Sequence, residues 1–270
     1  MILYGDSTKI RRKVILLGDE IGIPILNAVA SELGLEILGL GFSKKVIKEI
    51  QHKISIELSI PCIDTQTDLD SNLVISEFIK KNTIHLIIMF SYDVILDNTI
   101  IDIPDLKIVN IHGGKIPNYR GSNVLNWAII NGEKEIGVTV HEARIPVDTG
   151  PVIAEWLICI DKKDTANSVR EKISSSVLEY LPKILSDYFL NRITPKNQSN
   201  LGVAAYKKRK PEDGLFDWSY SDESIYNLIR GLVAPWPGAR YIDRNGQLVI
   251  LKNYMSIEEV RLLRRIESNH

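Results

Sequence analysis

Six residues, His85-Leu86-Ile87-Ile88-Met89-Phe90, form an almost unbroken apolar run, and this run narrows the folds open to the chain. A strand with one face in water alternates apolar and polar side chains. A run without alternation belongs to a strand covered on both faces, as in a parallel sheet with helices on either side. The segments before it fit that setting. Lys13–Leu17 reads as a buried strand, Gly18–Gly22 as a turn, Pro24–Leu33 as a helix ending near Gly34, and Glu36–Gly41 as a second strand. The β-α-β order predicts an α/β fold: a Rossmann-like, doubly wound, mostly parallel sheet. Two further helices are expected at Val46–Leu58, with Ile47, Ile50, Ile54 and Leu58 on one side, and at Asp70–Asn82. The first turn lacks the G-x-G-x-x-G spacing, so no nicotinamide or flavin site is expected.

Further along, Ser122 or Asn123 can cap a helix Val124–Asn131. Gly137–Glu142 alternates, with Val138 and Val140 on one face and Thr139 and His141 on the other. Ile153–Ile160 is another strand. Thr165–Leu190 is a long helical pattern interrupted by Pro182, which predicts a kink or two helices. The polar stretch Asn191–Tyr206 divides the chain into a domain of residues 1–200 and a small α+β domain of residues 201–270. The second would hold a helix Ser221–Leu232, a hairpin through Asn245-Gly246, and a last helix opened by a Ser256/Glu259 capping box.

Charge excludes some classes of function. A net charge of −1 builds no field for collecting polyanions. The two cysteines, Cys62 and Cys159, are far apart and lack metal spacing, which suits a reducing compartment. No apolar run approaches the ~20 residues that span a bilayer, and Val14–Leu17 is too short for a signal core, so a cytoplasmic protein without membrane contact is expected.

The chemistry concentrates between Leu106 and Ile153. A strand Ile108–Ile111 ends in Asn110-Ile111-His112, and Asp148-Thr149-Gly150 follows after 36 positions from His112 to Asp148. Alone, His112 reads as a hydrogen-bonded histidine at a strand end and Asp148 as a turn residue. Between them lie Pro117-Asn118-Tyr119-Arg120-Gly121 and Gly137-Val138-Thr139-Val140-His141. The motifs Asn-x-His, Pro-x-Tyr-Arg-Gly, Gly-Val-Thr-x-His and Asp-Thr-Gly, in this order, resemble the 10-formyltetrahydrofolate-dependent formyltransferases. Methionyl-tRNA formyltransferases and sugar N-formyltransferases belong to that family. Similarity extends from about Lys13 to Tyr241, including Lys208–Trp218 and Pro235-Trp236-Pro237-Gly238-Ala239.

The resemblance implies formyl transfer to an amine, and the residue types suit it. An imidazole can take the proton of the attacking nitrogen, an amide N–H can stabilise the oxyanion, and a carboxylate can orient and charge the imidazole. His112 is thus expected as general base, Asn110 as oxyanion donor and Asp148 as partner. The implied donor is N10-formyltetrahydrofolate, held by the loop carrying Met89, Phe90, Ser91, Tyr92 and Ile95 and the loop carrying Ala143, Ile145 and Val147. Asp93 stands where the family usually has glycine. Lys115, Tyr119, Arg120 and Trp127 are candidate substrate contacts. His141 reads as structural, and no metal is expected, because no second ligand stands at metal spacing.

The acceptor is expected to be a nucleotide-linked amino sugar, dTDP-, UDP- or GDP-linked. Gly41 runs straight into Phe42-Ser43-Lys44-Lys45 without a glycine-rich basic loop for a tRNA acceptor arm, and some thirty residues follow Tyr241. Nucleic acid is therefore not expected, and Lys207–Lys210 reads as a solvated charge run. Methionyl-tRNA formylation, formyltetrahydrofolate hydrolysis and a non-catalytic folate- or nucleotide-binding module are the alternatives. Leu248, Ile250 and Tyr254 suggest a homodimer contact.

Overall fold

A computed structural model describes residues 12–65, 70–199 and 205–268. The elements in chain order are β1 (Lys13–Gly18), α1 (Gly22–Glu32), β2 (Glu36–Phe42), α2 (Lys48–Leu58), β3 (Cys62–Ile63), α3 (Ser71–Asn82), β4 (Leu86–Phe90), α4 (Asn98–Ile101) and β5 (Lys107–His112). They continue with α5 (Val124–Ile130), β6 (Glu135–Glu142), β7 (Val152–Cys159), α6 (Ala166–Phe189), α7 (Asp222–Gly231), β8 (Ala239–Ile242), β9 (Leu248–Leu251) and α8 (Ile257–Ser268).

Seven strands form one sheet in the order β3-β2-β1-β4-β5-β6-β7. The pairs β1–β2, β2–β3, β1–β4 and β4–β5 are all parallel, as the apolar runs require. The order reverses between β1 and β4, the switch point beyond which such sheets bind ligands. There Gly18 and Phe90 are paired, and the backbones crowd. A Cβ on Gly18 would stand 2.6 Å from the Phe90 carbonyl oxygen and one on Gly22 would stand 2.4 Å from it. Glycine is needed at both for this close approach.

The chain resolves into two compact units. The first holds the described residues up to His112, Val140–Ala154 and Ser176–Asn197. Its core gathers Ile15 and Leu17 of β1, Ile75 and Ile79 of α3, Ile87 and Met89 of β4, Ile108 of β5 and Ala143. The second holds Gly113–Thr139, Glu155–Ser175 and the described residues from Gln198 onward. In it α5 is pinned to α7 by Asn126 Nδ2 donating to the Gly231 carbonyl at 2.7 Å. The antiparallel hairpin β8–β9 and Val260 of α8 close an aromatic core around Phe216 and Tyr241. The expected domain boundary at residues 200 and 201 lies outside the described residues.

Helix starts follow their capping residues. Asp70 accepts from Asn72 N at α3, and Ser221 accepts from Ser224 N at α7. Ser256 and Glu259 exchange bonds at α8, as the capping box predicts. Three expectations change. α2 begins at Lys48, and it buries Gln51 and Ile54 while Ile47 and Ile50 are exposed. The physical cause lies one residue earlier: Val46 turns inward and accepts from Gln51 Nε2, which leaves Ile47 pointing out. α6 is one helix with Pro182 inside it, and its buried stripe uses Leu185 where Ile184 was expected. Asn123 precedes α5 in the left-handed region, and its side chain does not cap. It instead accepts the Arg209 N–H at 2.9 Å.

Candidate active site

The first unit builds a four-residue polar cluster at the carboxyl end of β5. Asn110 and His112 are two apart on an extended strand, so their side chains share a face. Both reach one carboxylate. Asn110 Nδ2 lies 3.4 Å from Asp148 Oδ1, and His112 Nδ1 lies 3.6 Å from Asp148 Oδ2. His112 and Asp148 are buried, and Asn110 is half-buried. The structure thus brings together the three residues singled out from the motifs.

Asp148 arrives by a loop folded back on its own strand. Glu142 N donates to the Pro151 carbonyl at 2.9 Å and Ala143 N to the Ile108 carbonyl at 2.9 Å, closing residues 143–150 into an excursion beside β5. Asp148 holds a φ of 57°, a conformation that aspartate tolerates through its short polar side chain. Gly150 sits so near the Glu142 carbonyl oxygen that a Cβ there would lie 1.8 Å from it. The Asp-Thr-Gly signature is therefore a backbone requirement as well as a chemical one.

A fourth residue joins the cluster. His141 is buried on β6, its Nε2 3.1 Å from Asn110 Nδ2 and 3.4 Å from Asp148 Oδ1. Its Nδ1 lies 2.8 Å from the Glu142 carbonyl oxygen. Sequence reasoning treated this histidine as structural. The available signal was its alternation on β6, which placed it opposite Val138 and Val140.

The two expected donor loops also belong to the first unit. Met89, Phe90 and Ala143 are buried, and Ser91 and Tyr92 are half-buried. Met89, Leu96 and Ala143 share one apolar core, with Tyr92 packed against it. Ile95, Ile145 and Val147 are exposed apolar side chains on these loops. The first loop is tied down from the segment after β2. Ser43 Oγ donates to the Ser91 carbonyl at 2.9 Å, and Lys44 N donates to Asp93 Oδ1 at 3.0 Å. Lys45 reaches the buried Asp19 carboxylate at 3.1 Å. Burial, with the nearby Asp93 carboxylate adding to it, pushes the Tyr92 phenol well above its ordinary range.

The candidate substrate residues belong to the second unit. Lys115 is exposed. Tyr119 stacks on Tyr206 with ring centroids 5.1 Å apart and donates to Glu133 at 2.8 Å. Arg120 is buried, and its guanidinium donates to Gln198, a partner that no motif indicated. Trp127 packs against Tyr206 and carries the Arg209 guanidinium over its ring at 4.1 Å. Of the Lys207–Lys210 run, Lys207, Lys208 and Lys210 are exposed as expected, while Arg209 is drawn in. A cleft of about 160 Å3 opens there between Lys208–Pro211 and Trp236–Gly238. Among the described residues no helix is long and apolar enough to cross a membrane.

Comparisons with known proteins show the family. The formyl transferase family model matches residues 44–185, and the formyl transferase C-terminal domain model matches residues 208–260. The chain is 35% identical over 219 residues, 81% of its length, to the bifunctional polymyxin resistance protein ArnA of Wigglesworthia glossinidia brevipalpis. It spans about a third of that relative, 33% of its length. A sugar N-formyltransferase from a Shewanella species superposes with a TM-score of 0.72 at 17% identity, over 92% of this chain and 99% of that one. HypX from Aquifex aeolicus, in complex with tetrahydrofolic acid, superposes with a TM-score of 0.67 at 19% identity, over 90% of this chain and 38% of that one.

Proposed function

The chain belongs to the formyl transferase family, and from that premise we propose that it moves a formyl group from N10-formyltetrahydrofolate to the amine of a nucleotide-linked amino sugar. The observation that carries the reading is the single buried carboxylate of Asp148, reached by both Asn110 and His112.

The chemistry divides among the three residues. The neutral amine attacks the formyl carbon and forms a new C–N bond, and the carbonyl oxygen becomes an oxyanion. An Asn110 N–H meets that charge where it develops, the use to which fixed amide donors are suited. His112 takes the proton that the nitrogen loses, and Asp148 stabilises the charged ring. As the intermediate collapses, the bond from carbon to N10 breaks with its electron pair on N10, which receives the proton. The products are the formamide and tetrahydrofolate, and no covalent enzyme intermediate is needed.

Support for the donor comes from the exposed apolar trio Ile95, Ile145 and Val147, which suits one face of a planar ring system. The loops carrying them belong to the same unit as the Asp148 cluster. In this reading Met89, Phe90, Ser91, Tyr92 and Ala143 shape the pocket floor. Support for a sugar acceptor comes from the short link between β2 and α2, which carries no glycine-rich basic loop, and from the near-zero net charge. The sugar N-formyltransferase among the similar structures points the same way. Lys115, Tyr119, Arg120 and Trp127 remain its proposed acceptor contacts.

The test offers the protein UDP-, dTDP- and GDP-linked amino sugars with and without formyltetrahydrofolate and follows the sugar by mass spectrometry. One formyl gain that requires the folate is expected. No gain on any of the three sinks the sugar acceptor. Formylation of charged initiator methionyl-tRNA would move the acceptor to tRNA, and formate released without an acceptor would make the protein a hydrolase.

A further inference from the structure

Both ring nitrogens of His141 have polar neighbours within hydrogen-bonding reach. Nδ1 stands 2.8 Å from the Glu142 carbonyl oxygen, which can only accept. Nδ1 therefore carries the proton, and in a ring with one proton Nε2 is an acceptor. Facing Nε2 at 3.1 Å is the side-chain nitrogen of Asn110, a donor. Each residue thus fixes the other. A rotated Asn110 amide would set its carbonyl oxygen against the Nε2 lone pair and the Asp148 carboxylate, so electrostatics hold it with the nitrogen inward.

The distances also sort the two hydrogens of that nitrogen. His141 Nε2 and Asp148 Oδ1 are 3.4 Å apart, while Asn110 Nδ2 is 3.1 Å from the first and 3.4 Å from the second. These three atoms form a nearly equilateral triangle. Seen from the amide nitrogen, the two acceptors are closer in direction than its two hydrogens are. An amide turned so that one N–H points between His141 and Asp148 leaves its second N–H projecting away from both.

We infer that His141 is a positioning residue for formyl transfer: its Nδ1-protonated ring holds the Asn110 amide so that the second N–H is presented to the oxygen of the reacting formyl group. The inference rests on the formyl-transfer reading above. Its own support runs outward through Glu142. The Glu142 backbone is fixed by the bond to Pro151, and its carboxylate takes the Tyr188 hydroxyl at 2.7 Å and Arg144 Nη2 at 2.8 Å. The carbonyl that sets the tautomer is therefore itself held. Aligned donors lose effectiveness quickly as they turn, which makes orientation the quantity that His141 controls.

The experiment has two arms. In the first, histidine labelled with nitrogen-15 is placed in the full chain, and the His141 ring resonances are assigned by their loss in His141→Gln. The Nδ1–H tautomer is expected, and Asn110→Ala should shift the Nε2 resonance. An Nε2–H tautomer, or no response to Asn110→Ala, overturns the inference. In the second arm, kcat and both KM values are compared for His141→Gln, whose side-chain oxygen can still accept the Asn110 N–H, and His141→Leu, which cannot. His141→Leu should lose about tenfold to a hundredfold in kcat, somewhat less than removal of an oxyanion donor outright, with each KM within about threefold. His141→Gln should recover most of that loss. Equal losses in the two variants, or a change confined to KM, would overturn it. A wild type that transfers no formyl group sinks the functional reading, and the resonances still decide the coupling of His141 to Asn110.

Discussion

His112 and Asp148 face each other through Nδ1 and Oδ2 at 3.6 Å, and the other oxygen of the same carboxylate lies 3.4 Å from Asn110 Nδ2 and 3.4 Å from His141 Nε2. One buried charge is thus divided between a proton carrier and an amide donor. This sharing predicts that the residues fail as a unit. His112→Asn should lower kcat by about a hundredfold or more, the scale of a lost general base. Asp148→Asn keeps the shape and removes the charge, and should fall by a similar factor. The double variant should be scarcely worse than the poorer single variant, because residues acting together are not additive. Single-turnover rates at saturating donor and acceptor measure this. Losses that multiply would mean that Asp148 acts on something other than His112.

The Asp93 clasp makes a different prediction. Lys44 N donates to Asp93 Oδ1, and with the Ser43–Ser91 bond it anchors the proposed donor loop to the segment after β2. The bond is exposed, so its net worth is on the order of 1 kcal/mol. Asp93→Gly removes the acceptor and frees the backbone. KM for formyltetrahydrofolate should rise about threefold to tenfold, with kcat little changed, while Asp93→Asn keeps an accepting oxygen and should stay near wild type. An unchanged KM in Asp93→Gly would show that the clasp has no part in donor binding.

Much of the first unit was legible in the sequence because its physics is local. The unbroken run Leu86–Phe90 could only be a strand covered on both faces, and Asn110 and His112 share a face by strand period alone. The spacing from His112 to Asp148 became meaningful through the ordered motifs, which mark backbone needs such as Gly150 as well as chemistry. What stayed hidden depends on partners distant in the chain. Asn123 has the composition of a helix cap, yet its oxygen goes to Arg209, 86 residues on. Arg120 reads as a candidate substrate contact, and its bond to Gln198, 78 residues on, has no mark in the motifs. His141 looked like core because a buried histidine gives no sign, in one dimension, of which side chain it faces. The α2 face differs for a smaller reason: Val46 turns inward two residues before the helix begins.

In the second unit, Asp164 links stability to pH. Burial works to raise its pKa, but Lys172 Nζ at 2.6 Å, the Asp161 N–H and the Ser168 hydroxyl outweigh it and hold the carboxyl below its usual range. Arg230 Nη1 donates to the Asp164 carbonyl at 2.9 Å, so the same residue joins α7 to the start of α6. A depressed carboxylate contributes stability above its unfolded pKa of about 4, and this contribution fades as pH falls through the lower folded value. Urea unfolding of wild type and Asp164→Asn should therefore show a gap that is widest near neutral pH and narrows steadily below about pH 4. A gap independent of pH would assign the effect to packing.

Gly150 and Gly34 separate the need for space from the need for a backbone conformation. Gly34 has a φ of 67° and nothing within 4 Å of a Cβ, so Gly34→Ala meets only the left-handed penalty, about 1 kcal/mol. At Gly150 a Cβ would lie 1.8 Å from the Glu142 carbonyl oxygen, a backbone atom of a residue tied to the loop through Glu142 N and the Pro151 carbonyl. Either the Glu142–Pro151 bond breaks or the loop carrying Asp148 moves. Gly150→Ala should cost about 3 kcal/mol, in the upper range for overpacking, and lower Tm by roughly 6–12 °C. Its folded fraction should also lose formyl transfer, because Asp148 lies two residues away. Gly34→Ala should keep full kcat at a slightly lower Tm. Calorimetry with activity measured well below both transitions separates the two effects, and a fully active Gly150→Ala would show that the turn does not set the position of Asp148.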